Sequence, residues 1–396
     1  MTDTPLLFRE PLVSRDRAPA GYDLTLYSVH GERAPVGGIA GLVSGGERSS
    51  VFTALGSRFI VADSTQVESK RSPGPSGRMV LALHADGAVD NPATTVAAWK
   101  NAGYGLCLDV ERAEDWPGPV LTQAAYVRVD AARHEKLEVM HARLAGTRAR
   151  KIAAGIRTHE TFQRAMDAGY DLCQGYFFTQ PSRAPAHSSS ASYATIVHLM
   201  QLAQKDAPLR ELEEVLKRDA ALSFRLLRYI NSVGFGLSCE ISSFKHAVTL
   251  LGYQNLYKWL ALLLVTAARQ NGSPALAVTA VARGRLAELL GHDLFEPQQR
   301  DNLFITGTFS LLTAILQMPL EEIAQQVTLP ESVFEALSDH TGPYGPILEL
   351  VEALEALDTP GTAERAADLA ASLALTHEAV NRAQVEALVW AEGLTH

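Results

Sequence analysis

The feature that most constrains the fold of this sequence is a change in its periodicity near residue 182. Before that point, short apolar runs alternate with helical patterns, and continuous apolar runs such as residues 80–83 are typical of strands buried on both faces. Such alternation predicts a parallel sheet, open or closed. After that point, apolar residues recur at helical spacing throughout. We therefore expect an α/β domain followed by an all-α domain.

The domain boundaries are predicted from composition. Residues 182–192 are rich in Ser, Ala and Pro, which is typical of a linker. We place an α/β domain over 1–182, a linker over 183–192 and a helical domain over 193–396. Strands are predicted at 6–8, 22–26, 58–61, 79–83, 105–108 and 126–129. Helices are predicted at 92–102, 133–145, 159–168, 275–290, 298–316, 320–327, 331–337, 347–357 and from 362 onward.

Charge and cysteine content exclude several classes of function. The formal net charge of −9 gives no electrostatic footprint for nucleic acid or an anionic membrane. The most apolar window, residues 259–268, is too short to span a bilayer. Three cysteines, Cys107, Cys173 and Cys239, are odd in number and widely separated, so they predict neither a disulfide framework nor a metal site. The N-terminus lacks the pattern of a signal peptide, and we expect a cytoplasmic protein.

Residues 169–181 carry the most specific motif of the first half. They read Gly-Tyr-Asp-Leu-Cys-Gln-Gly-Tyr-Phe-Phe-Thr-Gln-Pro. This pattern resembles the last strand of EAL-type barrels, which hydrolyse cyclic di-GMP in bacterial signalling. The resemblance covers most of residues 5–182 and implies a TIM-barrel-like domain. Since a full barrel takes about 250 residues, we expect a trimmed barrel whose exposed edges or apolar faces need a cover.

The same resemblance implies that the metal-binding chemistry of EAL enzymes is missing. Four positions where the family carries ligands hold apolar residues here: Val61, Ala82, Val110 and Ala154. Asp23 stands where the family has its naming Glu, and Arg128 stands where it has a Lys that contacts water. A dinuclear Mg²⁺ or Mn²⁺ site needs several oxygen ligands. We therefore expect no metal, no cofactor and no enzymatic activity.

Five polar residues remain at the positions of the EAL site, namely Asp23, Asp109, Arg128, Asp130 and Gln174. One interpretation is that they contact a nucleotide at the mouth of the barrel. Another is that Asp109 and Asp130, at strand ends, cap loops or pair with Arg128, while Gln174 satisfies backbone groups. The neighbouring aromatic residues at 176–178 fit either a packed core or a platform on which bases stack.

The second half resembles an HDOD domain, a helical relative of HD phosphohydrolases that lacks their metal site. The matching stretches are residues 222–232, 241–248 and 250–252. Ser310 and Leu311 stand at the position that resembles the His-Asp pair of the HD enzymes. The dipeptide His292-Asp293 follows Leu-Leu-Gly, and we expect it in a turn that ends a helix. No P-loop or nucleophile motif occurs.

Taken together, the chain resembles two-domain EAL–HDOD signalling proteins. This resemblance implies a non-catalytic regulator of bacterial signal transduction that acts by protein–protein interaction. Its partners would be sensor kinases or regulators of motility or biofilm formation, and no residue selects among them. The alternative is a non-hydrolysing receptor for cyclic di-GMP or another nucleotide at the mouth of the barrel. A third interpretation is residual phosphodiesterase activity that depends on Asp109.

Overall fold

A computed structural model describes most of the chain as two compact units. One unit comprises Met1–Gln180 and Ala353–Val385, and the other comprises Pro181–Glu352 and Glu386–His396. The structure describes residues 4–28, 50–67, 75–84, 92–112, 115–133, 137–180, 191–217, 244–267, 273–327, 329–356 and 361–395, and the single positions Glu32, Ile39, Leu42, Ser72, Asp219, Leu222 and Leu226.

The first unit is built on a closed barrel of eight strands that follow one another in chain order. The strands are β1 (Leu6–Val13), β2 (Pro19–Tyr27), β3 (Phe59–Asp63), β4 (Met79–Leu83), β5 (Gly105–Asp109), β6 (Tyr126–Asp130), β7 (Arg150–Ala154) and β8 (Leu172–Gln174). Strand β1 is antiparallel to both of its neighbours, and all the other pairs are parallel. The expected TIM-barrel-like fold is therefore confirmed, and no strand has been trimmed.

Apolar side chains fill the interior of the barrel. A buried cluster combines residues from six strands, and it includes two of the positions where the sequence resemblance predicted lost metal ligands, Val61 and Ala82. Helices of the barrel unit lie between the strands: α1 (Ser50–Ala54), α2 (Pro92–Asn101), α3 (Gly118–Leu121), α4 (Leu137–Arg143) and α5 (His159–Asp167). Helices α2, α4 and α5 lie within the three helical patterns predicted at 92–102, 133–145 and 159–168.

The aromatic residues after β8 belong to the packed core. Phe177 stacks on Phe162 with 4.3 Å between the ring centroids, and Phe178 meets Phe177 edge-on. Both phenylalanines of the motif are buried, at 0% and 2% exposure, so the structure favours a core role over base stacking. Gly175 precedes them with a φ of 134°, and a Cβ there would lie 2.3 Å from the carbonyl oxygen of Ile156. Only glycine fits this turn.

The second unit is helical, as predicted. Its helices are α6 (Ala191–Gln204), α7 (Leu209–Lys217), α8 (Phe244–Ala267), α9 (Pro274–Leu290), α10 (Pro297–Phe309), α11 (Leu312–Leu316), α12 (Leu320–Gln326), α13 (Glu331–Asp339) and α14 (Gly345–Ala353). Helix α8 has a kink at Gly252, where φ is 77°. Most of the predicted HDOD motif at 222–243, together with Cys239, lies outside the described residues.

One predicted helix is two helices in the structure. The pattern over 298–316 is interrupted between α10 and α11, at Ser310 and Leu311. The Ser310 hydroxyl donates a hydrogen bond of 2.8 Å to the carbonyl oxygen of Gly307. In a continuous helix that carbonyl would accept the N–H of residue 311. Serine therefore competes with the backbone at the point where the helix ends.

The compact units differ from the predicted boundaries of 1–182 and 193–396. Two C-terminal helices follow α14, namely α15 (Thr362–Ser372) and α16 (His377–Thr395). The barrel unit includes α15 and the part of α16 up to Val385. Of the predicted linker, residues 183–190 lie outside the described part, and the last two residues begin α6.

Two cysteines are free and buried in the barrel, Cys107 and Cys173. Burial raises the pKa of the Cys173 thiol to about 12, and it also raises the pKa of Cys107. These thiols are therefore protonated and unreactive at neutral pH. None of the helices in the described residues is both long enough and apolar enough to cross a membrane.

Two glycines allow α9 and α10 to pack closely. A Cβ built on Gly307 would lie 2.5 Å from the carbonyl oxygen of Arg283 and 2.8 Å from the Cα of Gly284. Backbone atoms cannot move away as a flexible side chain can, so the contact leaves no room for a methyl group. The crossing of these two helices depends on both glycines.

We predict that Gly307→Ala lowers the free energy of unfolding by about 1–3 kcal/mol, because the added methyl group forces the two backbones apart. Gly393→Ala is the matched control, since Gly393 is also helical and exposed and an added Cβ meets nothing within 4 Å. The control gains up to about 1 kcal/mol from helix propensity. Urea unfolding of both variants measures the difference, and equal stabilities would contradict the close-packing argument.

Candidate functional site: the polar mouth of the barrel

Polar residues gather at the carboxyl ends of the barrel strands. Asp63, Asp109 and Gln174 are the last residues of β3, β5 and β8, and His84 directly follows β4. In barrels with parallel strands these ends share one face, where active sites are built. We call the cluster formed by Glu10, Asp23, Asp63, His84, Asp109, Arg128 and Gln174 the mouth cluster.

The centre of the mouth cluster is a buried arginine. Arg128 is 9% exposed and forms a two-point contact with Asp109, with 2.7 Å from Nε to Oδ1 and 2.8 Å from Nη2 to Oδ2. Its Nη1 donates to Asp23 Oδ2 and, at 3.2 Å, to Gln174 Oε1. This fork geometry suits a guanidinium and two carboxylates. The side chain of Arg128 thus connects residues of β2, β5, β6 and β8.

Gln174 extends the network to the first strand. Its Nε2 donates at 2.6 Å to Glu10 Oε2 and at 3.3 Å to Asp23 Oδ2. Gln174 and Glu10 are 5% and 8% exposed. The amide therefore lies between a cation and two carboxylates, with its oxygen toward Arg128 and its nitrogen toward the acids. One interpretation expected Gln174 to satisfy backbone groups, whereas these hydrogen bonds join it to the side chains of Arg128, Glu10 and Asp23.

His84 joins two of the acids. Its Nδ1 lies 2.8 Å from Asp109 Oδ2, and its Nε2 lies 3.1 Å from Asp63 Oδ2. A neutral imidazole has only one N–H, so in that form it donates to only one of the two carboxylates. Asp63 also accepts hydrogen bonds from the backbone N–H and the hydroxyl of Thr65, at 2.9 and 2.7 Å.

The pKa values of the acids follow from these contacts. Burial raises the pKa of Asp109, but the charge of Arg128 and the hydrogen bond from His84 outweigh it and lower the value to about 2. For Asp63, burial is likewise outweighed by hydrogen bonds from His84 and Thr65, and its pKa lies well below the usual range. The paired carboxylates raise the pKa of Arg128 despite its burial. Asp63 and Asp109 are therefore ionised at neutral pH.

The structure brings together four of the five residues singled out from the sequence. Asp23, Asp109, Arg128 and Gln174 meet, whereas Asp130 does not join them. The Asp130 side chain instead accepts the N–H of Ala132 at 2.9 Å and pairs with Arg133 at 3.3 Å, so it caps a loop. Sequence reasoning missed Glu10, Asp63 and His84. The last two stand at strand ends, and the rule that found Asp109 would have found them.

A divalent cation does not fit the mouth cluster as it is built. Within the described ranges, no group of three or more His, Cys, Asp or Glu side chains is arranged to hold a metal ion. Both oxygens of Asp109 accept from Arg128, and one also contacts His84. A metal would have to displace these cations from the carboxylates. We therefore derive no step through a metal.

The helical unit has its own polar clusters. The hydroxyl of Ser310 accepts from Arg283 Nη1 at 2.9 Å, and the same nitrogen contacts Glu352 at 3.1 Å. Lys258 contacts Glu288 and, at 3.2 Å, Asp301. These charged side chains are thus paired with one another. His292 and Asp293 are exposed and follow the end of α9, which agrees with a turn.

Comparison with known proteins agrees with the recognition of both halves. Residues 190–329 match the HDOD domain. The chain is 29% identical over 259 residues to the cyclic di-GMP phosphodiesterase CdgJ of Vibrio cholerae, covering 65% of this chain and 59% of that protein. It is 30% identical over 208 residues to the uncharacterized protein YuxH of Bacillus subtilis, covering 52% of this chain and 51% of that protein. The chain thus spans between half and three fifths of these relatives.

Solved EAL domains are among the structural matches. One is the EAL domain of Mycobacterium smegmatis DcpA, with a TM-score of 0.34 and 14% identity, covering 43% of this chain and 89% of that chain. Another is the FimX EAL domain of Pseudomonas aeruginosa bound to c-di-GMP, with a TM-score of 0.33 and 14% identity, covering 46% and 92%. The match of residues 190–329 confirms the recognition of an HDOD region.

The comparison corrects one prediction. We expected no enzymatic activity, because apolar residues occupy positions where EAL enzymes carry metal ligands. A relative that matches 65% of the chain is named a cyclic di-GMP phosphodiesterase, and this finding overturns that expectation. The inference failed because it treated ligand positions assigned by resemblance as a complete account of the chemistry. The chain is related to a cyclic di-GMP phosphodiesterase.

We predict that Arg128→Met lowers the free energy of unfolding by about 3–5 kcal/mol, because Asp23 is then buried without its cation and Asp109 loses the guanidinium that pairs with it. The control is Arg133→Met, whose side chain is 64% exposed and pairs with two exposed acids, Glu111 and Asp130. That variant loses at most about 1 kcal/mol. Urea unfolding at pH 7 measures both, and a loss below about 1 kcal/mol in Arg128→Met would contradict the network.

The dependence on pH gives this prediction a second measurement. Asp109 has a folded-state pKa of about 2, below the unfolded value of about 4. The contribution of Asp109 to the free energy of unfolding is therefore fully present above about pH 4 and is lost as the pH falls toward 2. In Arg128→Met the pKa of Asp109 rises toward or above its unfolded value. The variant should therefore lose less stability than the wild type between pH 4 and pH 2.

Proposed function

We propose that this chain is a signalling protein of the cyclic di-GMP network and that its output is a protein–protein contact made by its helical unit. The observation that carries the proposal is the match of residues 190–329 to the HDOD domain in a chain related to a cyclic di-GMP phosphodiesterase. The prediction that the partner is a sensor kinase or a regulator of motility or biofilm formation stays a prediction.

The distribution of charge supports a basic partner. Between Asp301 and Glu352 the sequence contains eight acidic residues and no lysine or arginine. Several of these acids are exposed on consecutive helices: Glu321 and Glu322 on α12, and Glu331 and Asp339 on α13. An acidic surface speeds the association of a positively charged partner and makes it sensitive to salt. The acidic helices are therefore the proposed contact surface.

The contact is tested with the immobilised full-length protein. We expect it to retain a partner from a lysate of its own source at low salt and to release it at about 0.5 M salt, where screening is strong. The triple variant Glu321→Lys, Glu322→Lys and Glu331→Lys should lose most of the retained protein. Glu160→Lys, on an exposed helix of the barrel unit, is the matched control. Equal retention by the triple variant and the wild type would refute the contact surface.

The second candidate function is binding or turnover of cyclic di-GMP at the mouth of the barrel. The name of the relative CdgJ favours it. In the mouth cluster, the guanidinium of Arg128 and the amide of Gln174 offer donors, and four carboxylates offer acceptors. To bind there, a guanine base or a phosphate would have to replace the hydrogen bonds and ion pairs that these side chains now make with one another. Because of this cost, direct measurement of binding and of turnover decides whether the mouth accepts cyclic di-GMP.

Calorimetry with cyclic di-GMP, with and without Mg²⁺, tests the second candidate, and chromatography detects the linear product in the same samples. Binding or turnover at the mouth predicts heat or product that is lost in Asp109→Ala and kept in Asp167→Ala, which lies at the end of α5. Absence of heat at high micromolar protein rules out the receptor. Product that persists in Asp109→Ala would exclude the mouth cluster as its source.

A further inference from the structure

Strand β1 is paired on one side only for most of its length. It bonds to β2 from Leu6 to Val13, but to β8 only at Leu12 and Val13. An unpaired strand edge exposes N–H and C=O groups, which need partners if they are buried. Since β1 is buried throughout, its second edge has to be satisfied by something other than a strand.

Two amide side chains of α16 bond to the backbone of Leu7. The N–H of Leu7 donates to Asn381 Oδ1 at 2.7 Å, and the carbonyl oxygen of Leu7 accepts from Gln384 Nε2 at 2.6 Å. A side-chain amide carries the same donor and acceptor as a peptide group. Asn381 and Gln384 lie three positions apart, so they share one face of the helix. They are 2% and 3% exposed, and together they take the place of a neighbouring strand.

The contacts continue along the same edge. Asn381 Nδ2 donates at 2.8 Å to the carbonyl oxygen of Pro5, and His377 Nδ1 lies 2.6 Å from that of Thr4. Glu355 lies 3.7 Å from the guanidinium of Arg9. All these groups on the C-terminal side belong to residues 353–356 and 361–385, the described residues of this segment, which we call the clasp.

The last part of the β1 edge is satisfied from within the barrel. The hydroxyl of Tyr176 donates at 2.7 Å to the carbonyl oxygen of Arg9, and the N–H of Gly175 donates at 3.1 Å to that of Pro11. The described contacts therefore run in order along the edge, first the clasp, then Tyr176 and Gly175, then β8. The clasp occupies the segment that β8 does not reach.

We propose that the clasp completes the barrel by replacing a strand at the β1 edge, and that its opening is the conformational step through which the barrel and the helical unit influence each other. The residues on both sides of the clasp in the chain, up to Glu352 and from Glu386, belong to the helical unit. A release from β1 therefore acts on the helical unit through the continuous chain. This device goes beyond the proposed function and does not depend on the identity of the partner.

Hydrogen exchange of the full chain, followed by mass spectrometry, tests the proposal with Gln384→Glu. At pH 7 the carboxylate has no proton to donate and faces the carbonyl oxygen of Leu7, so the clasp is weakened. We expect exchange in residues 4–13 to become about tenfold faster or more. Residues 344–352 and 386–394 of the helical unit should also exchange faster, while β4 keeps its protection. Gln325→Glu, an exposed glutamine of α12, is the matched control.

Lowering the pH distinguishes the loss of the hydrogen-bond donor in Gln384→Glu from a general packing defect. A protonated glutamic acid can donate to the carbonyl oxygen of Leu7 as the amide does. The difference between Gln384→Glu and the wild type at the same pH should therefore shrink toward pH 4, while a packing defect would persist.

The outcomes are distinct. Unchanged exchange in residues 4–13 overturns the clasp, and faster exchange there without any change in the helical unit overturns the coupling. If Gln384→Glu does not fold, Asn381→Asp replaces it, because the aspartate keeps the acceptor for Leu7 and loses the donor to Pro5. It should give the same pattern with a smaller change. The partner-binding experiment is independent, since the acidic helices remain intact in these variants.

Discussion

The buried guanidinium of Arg128 sets the conditions for the whole mouth of the barrel. A charge removed from water costs several kcal/mol unless it is paired and hydrogen-bonded. Asp23, Asp109 and Gln174 meet this need from three other strands, so the pairing also braces the barrel across its opening. Because these acids are paired with Arg128, the polar side chains of the mouth mainly bind one another.

This commitment changes how the missing EAL ligands should be understood. Counting lost ligands led to the expectation of an inactive domain, which the name of the relative CdgJ overturns. In the structure, the mouth can open only if Asp109 separates from Arg128 and His84, and this separation costs free energy. Any ligand of the mouth has to compete with those contacts, whether it is a nucleotide or a cation. A ligand that enters the mouth therefore has to open this network, whichever acids are present.

Local patterns in the sequence were sufficient to predict the barrel and much of its polar mouth. Alternating strands and helices predicted a parallel sheet, open or closed, and the resemblance to EAL domains implied the barrel. The pairing of Asp109 with Arg128 was one of the interpretations that the sequence left open. Asp63 and His84 also stand at the carboxyl ends of strands, but neither occupies a position that the resemblance to EAL domains singles out. The role of Asn381 could not be predicted, since its partner Leu7 lies 374 residues away in the chain. A polar residue on a helix ordinarily indicates a solvated face.

The motif that identifies the barrel in the sequence also explains why the clasp exists. After Gln174 the chain turns sharply at Gly175, where the backbone passes so close to Ile156 that no side chain fits. Strand β8 therefore ends after three residues and cannot follow β1 toward its beginning. The hydroxyl of Tyr176 reaches one further carbonyl, that of Arg9, and the amides of α16 supply the rest. A short last strand thus makes the barrel depend on a segment from the far end of the chain, so the two halves of the sequence cannot be separated at residue 182 without exposing the β1 edge.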